Sequence, residues 1–449
     1  MKRNYLVVLI LLSIIALNAY GASMKPAREL QSFDSEVMLS SWDFSPELSD
    51  PDVLDEYSVY LVTTTKGDPV FTWFGHTGLM VEYPDGKRVN FDYGLFSYSD
   101  DFYANFAMGR LWYGVNASYE ESEIRQYDSE NRSMRYVKLN LSREKKAAVI
   151  NFLAYNVRPE NSNYLYHYYL DNCSTRIRDI INYATDGELR KWAKAQPSTS
   201  FRKEASRALC VDAFWDYLLN FLQSGRIDKP ITLWDQMFLP DVLEKAVKDF
   251  GLVQEEGMIL DNTATDHRPA TAEHYSFFRE LLVPGLVSLS LCLLFALSAS
   301  KGWRKVYGIA GFIVYLILGL ISSLLLFMCV FSNHDVTWFN ENLIFVNPIL
   351  LVSAVMNLVF ASKRSMPCHV LDKMDCFMLI LSGLLIALKL ILPRSFYQSN
   401  GLQLLTIVPI YAVRFLVPFK SAEILSDSSR QKQRMEKSRD KVRLYSDMI

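Results

Sequence analysis

The sequence predicts two units in one chain: an α+β domain outside the membrane, followed by an all-α domain of five transmembrane helices. Three observations predict it. Between residues 24 and 275, runs rich in Val, Tyr and Thr are interleaved with helical periodicities. From residue 281, five apolar runs of about 18–25 residues follow, each long enough to cross roughly 30 Å of hydrocarbon. The Lys and Arg residues between those runs alternate in phase with them.

Met1 to Ala22 reads as a secretory signal. Lys2 and Arg3 precede the apolar stretch Tyr5–Leu17, and Ala19-Tyr20-Gly21 is the expected cleavage site before Ala22, with an uncleaved anchor as the alternative. Residues 23–275 are then the exported domain, 276–420 the membrane domain and 421–449 a basic tail. The apolar runs are Leu281–Ala299, Val306–Val330, Asn342–Ala361, Cys376–Pro393 and Leu402–Phe419. Lys301, Arg304 and Lys305 follow the first run, and Lys363, Arg364 and Lys373 follow the third. Phe331–Glu341 carries no Lys or Arg, the fourth loop has only Arg394, and eight basic residues lie from Lys420 on. Positive charge collects on the cytoplasmic side, which puts the tail there and residues 23–275 outside. Lys389 and Arg414 fall inside runs but close to their ends, where a long side chain is expected to snorkel.

The 47 basic and 49 acidic side chains leave no basic field for nucleic acid. Of six cysteines, only Cys173 and Cys210 belong to the exported domain. An oxidising compartment makes a disulfide between them one possible role.

Within the exported domain, Ser58–Thr65 and His76–Tyr83 read as strands, the second ending in the turn Pro84-Asp85-Gly86. Arg88–Tyr93 is a third strand, so His76 lies on a hairpin. Met134–Leu141 is another, and Ser142 caps a helix over Arg143–Tyr155. The aromatic run Tyr164–Tyr169 is expected to be extended. Ile177, Ile180, Ile181 and Ala184 then follow helical spacing, which puts Cys173 at a helix start. The macrodipole there favours a thiolate, the reactive form of cysteine. A thiol and an imidazole together suit nucleophilic acyl chemistry, and Cys173 with His76 is the pair this chain offers. There is no phosphate loop, Cys-x-x-Cys or His-Glu-x-x-His. His267 and His274 read as surface residues and His167 as a packing residue. The aromatic residues over 91–119 read mainly as core, with an acyl-chain groove or an interfacial belt as the alternatives for some of them.

The order of His first and Cys later, within Asn172-Cys173, resembles circularly permuted papain-like enzymes such as lecithin:retinol acyltransferase. A closer resemblance is carried by Phe74-Gly75-His76-Thr77, Asp92-Tyr93-Gly94-Leu95-Phe96, Phe102-Tyr103 with Phe106 through Gly109, Asn172 through Asp179, and Gln236-Met237-Phe238-Leu239-Pro240. On these motifs the chain resembles the Lnb family, the Bacteroides-type lipoprotein N-acyltransferase. That family pairs an exported thiol domain with five membrane helices. The family tends to Asn-Tyr-Gly where this chain has Asp92-Tyr93-Gly94; both residue types accept a hydrogen bond from an imidazole.

The resemblance implies a multi-pass protein of the bacterial inner membrane with its catalytic domain in the periplasm. It implies a membrane phospholipid as acyl donor and diacylated lipoproteins as acceptors. Cys173 is then the nucleophile, His76 the general base and Asp92 the residue that orients His76, with Asn90 in reserve. Backbone N–H groups at the helix start, with Asn172 and Ser174 in support, are the expected oxyanion site. A thioester has enough transfer potential to make an amide, so the chemistry calls for no cofactor. The residues alone leave three other readings open. One is a cysteine peptidase or amidase of the cell envelope. Another is a non-catalytic membrane assembly factor with Cys173 paired to Cys210. The third is an intramolecular transfer that yields a lyso-lipoprotein.

Overall fold

The computed structural model describes residues 53–96, 101–362 and 369–419. The expected signal, 1–22, and the tail, 421–449, lie outside the described residues.

An antiparallel sheet of seven strands carries the exported domain. The strands are β1 (Ser58–Thr64), β2 (His76–Glu82), β3 (Arg88–Leu95), β4 (Trp112–Tyr119), β5 (Met134–Leu139), β6 (Asn163–Leu165) and β9 (Val253–Leu260). Their spatial order is β6-β4-β3-β2-β1-β5-β9. A separate short pair is formed by β7 (Pro197–Ser200) and β8 (Pro230–Thr232). The strands expected from sequence correspond to β1, β2, β3 and β5.

Both faces of the central strands are covered. The helices Arg143–Asn156 and Cys173–Ala184 pack on one face, where Leu153, Ile177 and Ile181 join Leu61, Leu79 and Phe91. The helix Glu120–Ser129 covers the other, where Tyr127 packs with Tyr60, Met80 and Met134. Two covered faces account for the unbroken apolar run Val59-Tyr60-Leu61-Val62, since neither side of β1 meets water. Ile177 and Ile181 are almost wholly buried. At about 1.5–3 kcal/mol for each such side chain, they hold the cysteine helix against the sheet.

The run Tyr164–Tyr169 is extended only at its start, contrary to the sequence expectation. His167 Nδ1 accepts the N–H groups of Tyr169 and Leu170, each at 3.1 Å. That turns the chain back so that Asp171 bridges to His167.

In the membrane domain, Phe277–Ser298, Arg304–Phe331, Asn342–Ser362 and His369–Ile391 are long and apolar enough to cross a bilayer. The third is broken, with Pro348 between the helices Asn342–Phe345 and Leu350–Ser362. The fifth, expected over Leu402–Phe419, is a 16-residue helix, Gly401–Leu416, with Pro409 inside it. At 1.5 Å per residue it spans about 24 Å.

Arg414 does not snorkel. Its side chain is wholly buried, and Nε lies 3.1 Å from Asp375 Oδ2 on the fourth span. Nη2 donates to Asn357 Oδ1 on the third at 2.9 Å. Its guanidinium also lies over Phe295 and Tyr307, 4.5 and 4.6 Å from the ring centres. Asp375, Asn357 and these rings offer the charge an internal partner set, which removes the need to reach water. Lys389 turns to the end of its span and pairs with Glu341 at 2.5 Å.

The loop between the second and third spans, with the first residue of the third, docks on the exported domain. Val336 accepts the Ser224 N–H at 2.7 Å, and Asn340 and Asn342 donate to the Phe221 carbonyl at 3.1 and 2.8 Å.

Candidate active site

Cys173 is the first residue of its helix, and Asn172 is the cap. Asn172 Oδ1 accepts the Thr175 N–H at 2.9 Å, and Thr175 Oγ1 accepts the Asn172 N–H at 2.7 Å. This reciprocal box satisfies two backbone donors. It leaves the N–H groups of Cys173 and Ser174 without an intrahelical acceptor, beside the thiol. The Asn172 amide also donates to the carbonyls of Tyr168 and Phe238, at 3.1 and 2.9 Å. Ser174 Oγ donates to the Met237 carbonyl at 2.7 Å. Both side chains are therefore occupied in fixing the helix start, so the donors that remain there are backbone groups. The motif Met237-Phe238 supplies the carbonyls that hold it.

His76 opens β2, and Asp92 lies on β3 opposite Gly78. His76 Nε2 is 3.0 Å from Asp92 Oδ1. A Cβ at Gly78 would sit 2.7 Å from Asp92 Oδ1, so only glycine leaves space for the carboxylate to reach the ring. Cys173 lies close enough to His76 to raise its proton affinity, and the use of Nε2 by Asp92 leaves Nδ1 as the ring nitrogen open to the sulfur. Gly94, in the left-handed region at φ +83°, lies at the register irregularity between Tyr93 and Leu95 of β3, beside Cys173, where a Cβ would lie 3.6 Å from Cys173 Cβ.

Burial alone draws the His76 proton affinity down. The charges of Cys173 and Asp92, with their hydrogen bonds, outweigh it and raise the pKa to about 10. Burial pushes the Asp92 carboxyl up, but hydrogen bonds from Glu123 and His76 hold it below its ordinary value.

Asn90 does not reach His76. It faces Met80 in the register and donates to Glu123 Oε2 at 2.7 Å. Ser118 Oγ donates to Glu123 Oε1 at 2.5 Å. Burial, then the Asp92 charge, raises Glu123 well above the ordinary carboxyl range. Two buried carboxyls in contact cannot both ionise, so Glu123 is the protonated partner and donates to Asp92. The sequence analysis missed Glu123. Its segment, Glu120-Glu121-Ser122-Glu123, reads like any acidic first turn of a helix.

Cys173 and Cys210 are separate free thiols, which removes the disulfide role. His167 is more than a packing residue: its Nε2 lies 2.9 Å from Asp335 Oδ1, in the loop between the second and third spans. His267 and His274 are exposed. No metal-binding group of His, Cys, Asp and Glu occurs among the described residues.

The fold and the site define a membrane protein with a periplasmic α+β domain that holds a thiol, an imidazole and a carboxylate in contact. Residues 51–207 match the family model described as the Lnb N-terminal periplasmic domain, and residues 276–417 match the Lnb transmembrane domain. The chain belongs to the Lnb family. Comparison with curated proteins and with solved structures finds no match.

Proposed function

We propose that this protein is a lipoprotein N-acyltransferase of the bacterial inner membrane, its basic tail in the cytoplasm. It moves an acyl chain from a membrane phospholipid through a Cys173 thioester to the α-amino group of the lipidated N-terminal cysteine of a lipoprotein. The observation that carries the reading is the contact of Cys173, His76 and Asp92 at a helix start, in a domain fastened to apolar helices.

In the first half-reaction the Cys173 thiolate attacks the ester carbonyl. The Cys173 and Ser174 N–H groups receive the oxyanion; one such donor is worth on the order of 100–1000-fold in rate. The ester C–O bond breaks, and the His76 imidazolium gives its proton to the departing alkoxide, leaving a lysophospholipid. Acylation removes the thiolate charge that holds the His76 proton. The imidazole then becomes a base at neutral pH. In the second half-reaction the neutral amine attacks the thioester, the C–S bond breaks, and His76 takes the amine proton. An amide forms and the thiolate–imidazolium pair returns. Asp92 keeps Nδ1 aimed at sulfur throughout, and Glu123 keeps Asp92 in place.

Mass spectrometry of lipoprotein N-termini from cells that carry Cys173→Ala tests the reading. Loss of the N-acyl group is expected. N-acylation that persists without another acyltransferase overturns it. A peptidase would leave that N-terminal lipid unchanged in both strains.

A further inference from the structure

Seven aromatic rings, one of them next to Cys173, form a closed circuit. Tyr166 packs on Tyr113 with centroids 4.5 Å apart, and Tyr113 on Phe96 at 5.0 Å. Phe96 stacks on Phe102 at 5.3 Å, and Phe102 on Phe106 at 6.1 Å. Phe106 meets His334 at 5.9 Å, His334 stacks on Tyr168 at 6.0 Å, and Tyr168 returns to Tyr166 at 6.2 Å. The collar borders the nucleophile. A Cβ at Gly94 would lie 3.3 Å from the Tyr166 ring and 3.6 Å from Cys173 Cβ.

Three features set the collar apart from ordinary core. First, it is open: Phe106 is 45 % exposed and its neighbour Tyr103 is 75 % exposed. Contiguous exposed apolar surface of this kind marks a binding surface. Second, a small hollow of about 20 Å³ adjoins it, lined by Phe102, Asn105, Phe106, Leu111, Trp112 and Tyr113, with Arg110 its only charged lining residue among those described. Third, the membrane domain supplies one ring. His334 lies three residues past Phe331, the end of the second span. It is thus within about 10 Å of that end, at the depth where a phospholipid passes from acyl chain to headgroup.

We propose that this collar is the binding site for one acyl chain of a membrane phospholipid, with Arg110 as the cation for its phosphate. The proposal rests on the acyl-transfer reading and adds to it where the donor lies. A chain held by the rings brings its ester carbonyl to Cys173 from the membrane side. Apolar methylenes against aromatic faces suit such a ligand, and each methylene removed from water contributes about 0.8 kcal/mol. A soluble peptide substrate gives no reason for the membrane domain to complete the collar.

The test uses the full-length protein in phosphatidylethanolamine vesicles that contain a phospholipid with a diazirine on one acyl chain. After irradiation, label is mapped by peptide mass spectrometry. Label concentrated in the peptides of residues 89–110 and 111–125 is expected. Phe102→Gln is expected to lower that label and to cut acyl-Cys173 formation from long-chain donors about tenfold, roughly the worth of two methylene contacts, with a smaller effect on dibutyryl donors. Label confined to the spans, with acyl-Cys173 still formed, overturns the collar and spares the acyl-transfer reading. Label in the collar with no acyl-Cys173 supports the lipid site and sinks that reading. The unsubstituted protein alone decides the labelling arm, should Phe102→Gln fold poorly.

Discussion

His76 Nε2 and Asp92 Oδ1 meet at 3.0 Å across Gly78, whose missing side chain makes the contact possible. Asp92→Asn keeps an acceptor for the ring and is expected to retain acyl transfer within about tenfold. Asp92→Ala frees the ring, and a loss of about 100-fold is expected, in line with removal of a charged hydrogen bond. Gly78→Ala should resemble Asp92→Ala, because its Cβ intrudes on the carboxylate. Single-turnover acylation rates check the series. Equal rates in all three variants contradict the assignment of Asp92.

Glu123 is a positioning residue for Asp92. Glu123→Ala removes the donor to Asp92 and leaves Asn90 and Ser118 without their acceptor. A fall of about 10–100-fold in acylation rate is expected, with the acid limb of activity displaced to higher pH as Asp92 becomes easier to protonate. Glu123→Gln retains a donor and should recover most of the rate. A purely structural role would lower yield or Tm without moving the acid limb.

The pH dependence follows from His76. Its folded pKa, about 10, lies above the ordinary value near 6.5. The proton it gains on folding therefore stabilises the protein fully below about 6.5, and that contribution fades as pH rises toward 10. Tm of the unacylated protein should fall over this window, and the fall should shrink in His76→Gln. The first half-reaction, which needs the imidazolium, should hold its rate from pH 7 to 9 and lose it as pH passes about 10. A loss centred near 6.5 would contradict the ion pair.

Arg414 and Asp375 form a buried pair inside the helix bundle. Arg414→Met leaves Asp375 uncompensated and should destabilise the membrane domain by about 3–5 kcal/mol. Adding Asp375→Leu removes the orphaned charge and should recover much of the loss. Thermal unfolding in detergent reads both. A single variant as stable as the parent contradicts an interlocking role.

Much of the site was legible because its signals are local. The cap Asn172 before the apolar spacing of Ile177, Ile180 and Ile181 marks a helix start at Cys173. The hairpin through Pro84-Asp85-Gly86 brings His76 and Asp92 to neighbouring strands. The spans and their loop charges are equally local. What escaped depends on contacts between distant segments. Glu123 reaches Asp92 only because its helix folds back over the β3–β4 register. Arg414 finds Asp375 only once the fourth and fifth spans pack together; read alone, Arg414 near a span end suggests snorkelling. Asn172 and Ser174 had the chemistry of oxyanion donors, but the carbonyls of Phe238 and Met237, more than 60 residues away, claim them.

The central claim is the thioester on Cys173. The full-length protein, incubated with phospholipid vesicles in the absence of lipoprotein, can be quenched in acid and weighed by intact-protein mass spectrometry. The account predicts a mass increase of one acyl chain. It should map to the Cys173 peptide, be removed by neutral hydroxylamine, and be absent in Cys173→Ser and His76→Ala. An unmodified Cys173 in protein that N-acylates lipopeptide when the acceptor is supplied would contradict it.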